Sequence, residues 1–195
     1  MNAEINSAWD ELKQRVSECK KCGLCEKRHN VVFGEGPVEN CRAVIVGEGP
    51  GADEDATGRP FVGKAGALLT GILENGGGIK RDTIYITNVV KCRPPENRNP
   101  FPEEAAACNE FLEAQLSLLH PDIVVTLGNV PTQWLLKTTE GITKLRGQWI
   151  DWRGIKLFPM FHPSYLLRND SRAKGSPKDL TWQDVKALKA RIDSL

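Results

Sequence analysis

The feature that most constrains this chain is a repeated alternation of short β-branched runs with helical stretches. The runs are RAVIVG (42–47), TIYITNVV (83–90), DIVVTLG (122–128) and the end of QWIDWRGIKLFPMFHP (148–163), which reads as a small hairpin feeding a fourth central strand. Between them the apolar spacing changes to that of helices. Asn6 to Arg15 places Trp9, Leu12 and Val16 for one apolar face, and GKAGALLTGILENGGG (63–78) is a helix closed by a glycine run. Pro102-Glu103-Glu104 opens a helix to Leu119, with proline and acids in the favoured first turn. A further helix runs through Trp134, and DLTWQDVKALKARIDSL (179–195) is a terminal helix with Thr181 as N-cap and Asp184 three residues on. RPPENRNPFP (93–102) cannot be regular, because its four prolines remove donors and fix φ. The expected fold is α/β: a parallel sheet with helices on both faces. In such sheets ligands bind beyond the carboxyl ends of the strands. Four segments stand there: GEGPGADED, TNVVKC, LGN and HPSYLLR.

At 195 residues one domain is expected, and 40% hydrophobic with 26% charged residues marks an ordinary globular chain rather than a disordered one. No apolar run approaches membrane-spanning length. The N-terminus MNAEINSAWDELKQRV carries acids where a signal peptide would carry base and then an apolar core. A cytoplasmic location follows, where six cysteines argue for metal ligands before disulfides. The net charge of +1 is unevenly spread. From Lys137 onward 12 basic residues face 6 acidic ones, which leaves 14 and 19 before it. A basic C-terminal third suits a polyanion or is simply a solvated surface.

GEGPGADED (47–55) lacks the third glycine of a dinucleotide loop and the Lys-Ser/Thr of a P-loop, and its acids would repel phosphate. Gly47 and Gly49 instead permit close backbone approach to a substrate, and Glu48, Asp53, Glu54 and Asp55 bring carboxylates. That combination suits water activation or stabilisation of a developing cation, or else it is an acidic turn at a strand end. Phe61, between glycine-bounded turns, can stack on a ring or plug a core edge. Asn88, inside an apolar strand, can donate and accept side by side, as needed to read a nucleobase edge, or it caps local backbone. In HPSYLLR, His162 can donate to a carbonyl oxygen that becomes anionic and Ser164 can bind phosphate. Leu166 and Leu167 beside Arg168 form a candidate exposed wedge with a phosphate partner. The alternative is a structural histidine and core leucines.

CKKCGLC (19–25) contains a C-x2-C pair, Cys19 and Cys22, which suits zinc or iron–sulfur. Cys92 ends the second strand and Cys108 lies in the next helix. A zinc ribbon would pair C-x2-C with another, which is absent, so widely separated third and fourth cysteines fit an all-thiolate iron–sulfur cluster better.

Taken together, the chain resembles the family 4 uracil-DNA glycosylases, the iron–sulfur branch of their superfamily. The resemblance rests on Cys19 and Cys22, VVFGEG (31–36), GEGPGADED, TGRPFVGKAG, YITNVVKCRPPENRNP, LGN, FPMFHPSYLLRN and GSPKDLTW, in the family's order over nearly the whole chain. It implies an α/β/α sandwich around a four-stranded parallel sheet and a [4Fe–4S] cluster on Cys19, Cys22, Cys92 and Cys108. Cys25 and Cys41 have no ligand counterpart. It also implies that Phe61 stacks on uracil, Asn88 reads its edge, Glu54 lies near the ring and His162 bonds O2. Glu48 would orient water or stabilise the sugar cation. The implied partner is uracil-containing DNA, single- or double-stranded, acted on by a monomer with no membrane association. Two alternatives stay open: acceptance of hypoxanthine or xanthine, and an iron–sulfur module that binds damaged DNA without turnover.

Overall fold

The computed structural model describes residues 3–195. A five-stranded sheet forms its centre: β1 (Ala43–Gly47), β2 (Tyr85–Asn88), β3 (Ile123–Leu127), β4 (Ile150–Trp152) and β5 (Ile155–Met160), in spatial order β2-β1-β3-β5-β4. The four expected strands, β2, β1, β3 and β5, run parallel. β4 adds an antiparallel edge, formed because the hairpin turn at Arg153 and Gly154 takes positive φ at both positions.

Alternate side chains of each strand enter different cores, so the central strands read as unbroken apolar runs. Val44, Val46, Val124 and Leu157 pack with α1 (Ala3–Ser17) and α4 (Pro102–Leu119) through Trp9, Leu12, Val16, Phe111 and Leu112. Ile45, Ile86, Val125 and Phe158 face the opposite layer, where Leu69, Leu73, Val185 and Leu188 cover them. That layer holds α3 (Lys64–Gly71), α7 (Pro163–Arg168) and α8 (Pro177–Asp193). Two shorter helices, α5 (Asn129–Leu136) and α6 (Ile142–Leu145), lie between β3 and β4 in sequence. Among the described residues no helix is long and apolar enough to cross a membrane.

Several local expectations are revised. The acidic stretch after β1 is not all loop, because Ala52–Thr57 forms a helix, α2. The helix at 63–78 leaves α geometry at Ile72, where a wider π-type turn runs to Gly76. The last helix begins earlier than expected, with Ser176 as N-cap and Pro177 in the first turn, the position where a missing N–H costs nothing. Thr181 is therefore inside the helix, its hydroxyl donating to the Pro177 carbonyl at 2.7 Å. Asp184 is buried and ion-paired with Arg146, which ties α8 to the turn before β4.

β1 has β2 on one side and β3 on the other, so the chain reverses direction across the sheet at this point. The crevice beyond the carboxyl ends of these strands is the default ligand position in such sheets.

Candidate active site and cysteine centre

A cleft of about 710 Å³ opens there, lined by Glu48, Phe61, Asn88 and His162. A slightly larger groove of about 810 Å³ lies along Glu35, Arg59 and Arg81. In that groove the Glu35 carboxylate and the Arg59 guanidinium engage each other at 2.7 and 2.8 Å, which leaves no free reactive group in that pair.

Asn88 ends β2 opposite Gly47 of β1. It is buried, and its Oδ1 accepts no hydrogen bond from the protein. Buried polar atoms in native folds nearly always find a partner, so an orphan acceptor on a cleft wall marks a place for a ligand donor. Space for that ligand depends on Gly47, because a Cβ there would stand 2.3 Å from Asn88 Oδ1 and 2.6 Å from Phe61 Cζ. Gly49 serves similarly beside Val90, whose Cγ2 a Cβ would approach to 2.8 Å.

Phe61 holds φ +50, a left-handed conformation that bulky residues avoid. Its neighbours fix it there. The Glu54 carboxylate accepts from the backbone N–H of Val62 at 2.8 Å, of Gly63 at 3.0 Å and of Gly51 at 3.0 Å. On the other side Arg81 donates to the Pro60 carbonyl at 2.6 Å. Helix α3 can approach only because Gly66 has no side chain, since a Cβ would lie 1.9 Å from the Phe61 carbonyl oxygen. Glu54 lines the cleft, and both its oxygens are engaged in clamping this loop.

His162 is the N-cap of α7. Its Nδ1 accepts from the Ser164 backbone N–H at 3.1 Å, with the Ser164 hydroxyl 2.8 Å away. An accepting Nδ1 carries no proton, so the neutral ring holds its proton on Nε2 and presents a donor there. Part of the ring still faces the cleft, yet burial, aided by the Arg168 charge, pushes its pKa down to about 4. The rings of His162 and Phe61 stand 5.8 Å apart at 37°. Gly128, at φ +88, follows β3 and lets the strand end pass the His162 Cβ at 3.0 Å from its own Cβ position.

Glu48, just past β1, is half-buried, and desolvation alone raises its carboxyl above the ordinary range. Ser164 and Arg168 line the cleft, but Ser164 is occupied in holding His162. The expected pair of wedge leucines is corrected to one. Leu166 is buried in the core at 1% exposure, whereas Leu167 is 45% exposed. Adjacent residues on a helix point about 100° apart, so the two cannot share a face.

The cleft also has a rim that the sequence did not disclose: Pro94, Asn97, Arg98 and Asn99 from the proline-rich segment. Such a segment has no periodicity from which its facing could be read.

Behind β2, a second pocket is lined by Cys19, Cys22, Cys25, Cys92 and Cys108, with Arg28 and Lys91. All six cysteines are free thiols. Cys41 lies apart, its buried thiol donating to the Ala43 carbonyl at 3.4 Å. Among the described residues no three His, Cys, Asp or Glu stand arranged around a single metal ion. The donor set is nevertheless coherent. Thiols from three separate segments converge, and cations attend them. Arg28 donates to Cys92 Sγ at 3.2 Å, to the Cys19 carbonyl at 2.9 Å and to the Ser17 carbonyl at 3.0 Å. Burial raises the thiol pKa of Cys22 and Cys92, and that of Cys108 to about 11, so without a metal they stay protonated. These thiols are the kind of donor that a thiolate-bound metal group requires.

Lys91, wholly buried, links this pocket to the cleft. Its ammonium donates to Asn88 O at 2.7 Å, Thr87 Oγ1 at 2.7 Å and Gln115 Oε1 at 2.6 Å, and burial lowers its pKa to about 8. A lysine at the end of an apolar strand, KC at 91–92, was the available signal for it.

The family model described as "Uracil DNA glycosylase superfamily" matches residues 33–186. A type-4 uracil-DNA glycosylase from Thermotoga maritima is 54% identical over 183 residues, 93% of each chain. One from Sulfurisphaera tokodaii is 42% identical, covering 85% of this chain and 78% of its own. Another, from Saccharolobus solfataricus, is also 42% identical, covering 82% and 77%. The cleft residues and the cysteine centre lie within one continuous likeness, and the chain belongs to the uracil DNA glycosylase superfamily and, within it, to the type-4 uracil-DNA glycosylases.

Proposed function

We propose that this protein excises uracil from DNA as a monofunctional glycosylase, in base excision repair. The observation that carries the reading is the orphaned Asn88 Oδ1, buried in a cleft that also holds the Nε2–H of a neutral His162. Uracil offers complementary groups. N3–H donates to Asn88 Oδ1, O4 accepts from the Asn88 amide, and O2 accepts from His162 Nε2. Cytosine presents the reverse pattern along the edge that Asn88 reads, and a mismatch against a buried amide is costly.

A base inside a duplex cannot reach this cleft, so the nucleotide must rotate out of the stack. Phe61 supplies the flat surface against which the base rests. As the C1′–N1 bond breaks, its electron pair moves onto the uracil ring and O2, where His162 stabilises the charge without transferring its proton. Positive charge develops on the deoxyribose, opposite Glu48. Water adds to C1′ and gives up a proton to the Glu48 carboxylate, whose raised pKa makes it a better base. The uracil anion takes up a proton from solvent as it leaves, and Glu48 returns the water's proton to solvent. The products are free uracil and an abasic site, with the strand intact. Leu167 is the wedge for the vacated space, and Arg168 with the basic C-terminal third holds phosphates.

Cys19, Cys22, Cys92 and Cys108 would hold a [4Fe–4S] cluster. When bound it cross-links the N-terminal segment to the end of β2 and to α4. The chain is read as one domain, acting as a monomer in the cytoplasm, where its free cysteines would remain reduced.

The test is an oligonucleotide with a single uracil, incubated with the holoprotein and then treated with alkali. Cleavage at the uracil position is expected. Binding without alkali-labile product would leave a damage-binding module and end the enzyme reading.

A further inference from the structure

Four large apolar side chains are strongly exposed among the described residues, and two of them adjoin the cleft lining in the chain: Phe101 stands two residues from Asn99, and Leu167 stands next to Arg168. Leu167 follows β5 and Phe101 follows β2, on opposite sides of the sheet's central pair. Leu167 already has a use in the reading above; Phe101, at 50% exposure, has none.

Phe101 is not a loose surface residue. Arg98, which lines the cleft, lays its guanidinium 3.7 Å from the centre of the Phe101 ring. Glu104 then fixes both partners. Its carboxylate accepts two hydrogen bonds from Arg98, at 2.8 and 2.7 Å, and one from the Phe101 backbone N–H at 2.7 Å. Pro100 and Pro102 restrict the backbone on either side. The result is a rigid aromatic plate with a cation stacked against it, at the rim of the uracil cleft. Ordering a side chain normally opposes binding, and here that ordering is already complete.

Flat, preorganised aromatics beside cationic groups suit nucleobases, whose π-faces stack irrespective of sequence. We propose that Phe101, backed by Arg98, is a stacking platform for an unpaired base on the same strand as the flipped nucleotide. The proposal rests on the uracil-excision reading and extends it to strand form. In a duplex each base face is covered by its neighbours, so the platform gains most from single-stranded DNA.

The experiment uses the holoprotein and an oligonucleotide carrying a tetrahydrofuran abasic analogue, single-stranded and in duplex, with Kd measured by fluorescence anisotropy. Phe101→Ala should weaken single-strand binding about tenfold, at the lower end of the effect of losing one stacked base, and duplex binding by less. Phe101→Trp should retain binding, while Phe101→Leu, apolar but without a π-face, should bind as weakly as Phe101→Ala. Unchanged single-strand affinity in Phe101→Ala, or full affinity in Phe101→Leu, overturns the platform. Equal losses on single strand and duplex overturn the strand preference. Should Phe101→Ala fold poorly, the Trp and Leu variants decide alone. Uracil excision by the unaltered protein is scored separately: excision with a silent Phe101 sinks only the platform, and DNA binding that depends on Phe101 without excision sinks only the enzyme reading.

Discussion

Gly47 lies opposite Asn88 across two parallel strands, and a Cβ on Gly47 would stand 2.3 Å from the Asn88 side-chain amide oxygen, Oδ1. The absent side chain is therefore part of the geometry of the proposed recognition site. Gly47→Ala should fold, because neither residue would lose a backbone bond, but Asn88 and Phe61 would be displaced. Displacements near 1 Å at a reacting centre cost about a hundredfold in rate, and uracil-excision kinetics should show a loss of that order. Near-normal kinetics would mean that the cleft has slack that the packing does not suggest.

Asn88→Asp replaces a donor with an acceptor opposite uracil O4. The uracil-to-cytosine rate ratio should fall about a hundredfold or more, since a buried polar mismatch of this kind exceeds what shape discrimination supplies. Competition between two labelled oligonucleotides measures the ratio directly, and an unaltered ratio removes Asn88 from base selection.

The pH dependence separates Glu48 from His162. Burial raises the Glu48 carboxyl above its ordinary 4.5, so excision should decline on acidification at a higher pH than an ordinary carboxylate would give. Glu48→Gln should lower turnover about a hundredfold or more, flatten that limb and leave DNA binding no weaker. His162 titrates at about 4 when folded against an ordinary 6.5, so acid favours the unfolded chain. Its contribution to stability is fully present above about pH 6.5 and is lost as pH falls toward 4. Denaturant titrations at several pH values should show this slope in the native protein and a shallower one in His162→Gln.

The two neighbouring leucines should behave oppositely. Leu166→Ala removes a fully buried side chain and should cost about 2–5 kcal/mol of stability. Leu167→Ala should leave the unfolding midpoint almost unmoved while slowing excision from duplex DNA more than from single strands. Equal effects of the two substitutions would contradict the facing of α7.

The cysteine pocket gives a further contrast. Cys22→Ala should lose both iron and visible colour, whereas Cys25→Ala should keep them, although both thiols line the pocket. Arg28→Ala should release iron faster, because it loses the contact to Cys92 Sγ and the clamp on the Cys19 carbonyl. Iron retained by Cys22→Ala and lost from Cys25→Ala would reassign the ligand set.

Much of the architecture was legible because apolar period and strand length are written residue by residue. The four parallel strands and α4 were expected where they occur, and the strand-end rule drew attention to the segments that carry Glu48, Asn88 and His162. What escaped were relations between segments. Glu54 reads as an acid beside a loop, and only the folded chain shows both its oxygens holding the backbone around Phe61. Leu166 and Leu167 are chemically identical neighbours, so only a helix axis can separate them. Thr181 was an acceptable N-cap, but Ser176 followed by proline was a better one. Arg28 and Arg98 look like solvated charges until their partners, distant or around a turn, are known.

Asn88, Lys91 and Cys92 fall within five consecutive positions, 88–92, with the Lys91 ammonium tied back to the Asn88 carbonyl. The residue proposed to select the base and a proposed anchor of the cysteine centre thus share one short length of backbone. A single insertion or deletion between them would turn one of the two away from its site. This span should therefore tolerate changes of side chain but not of length, and a graft of the cleft onto another scaffold would have to carry the cysteine pocket with it.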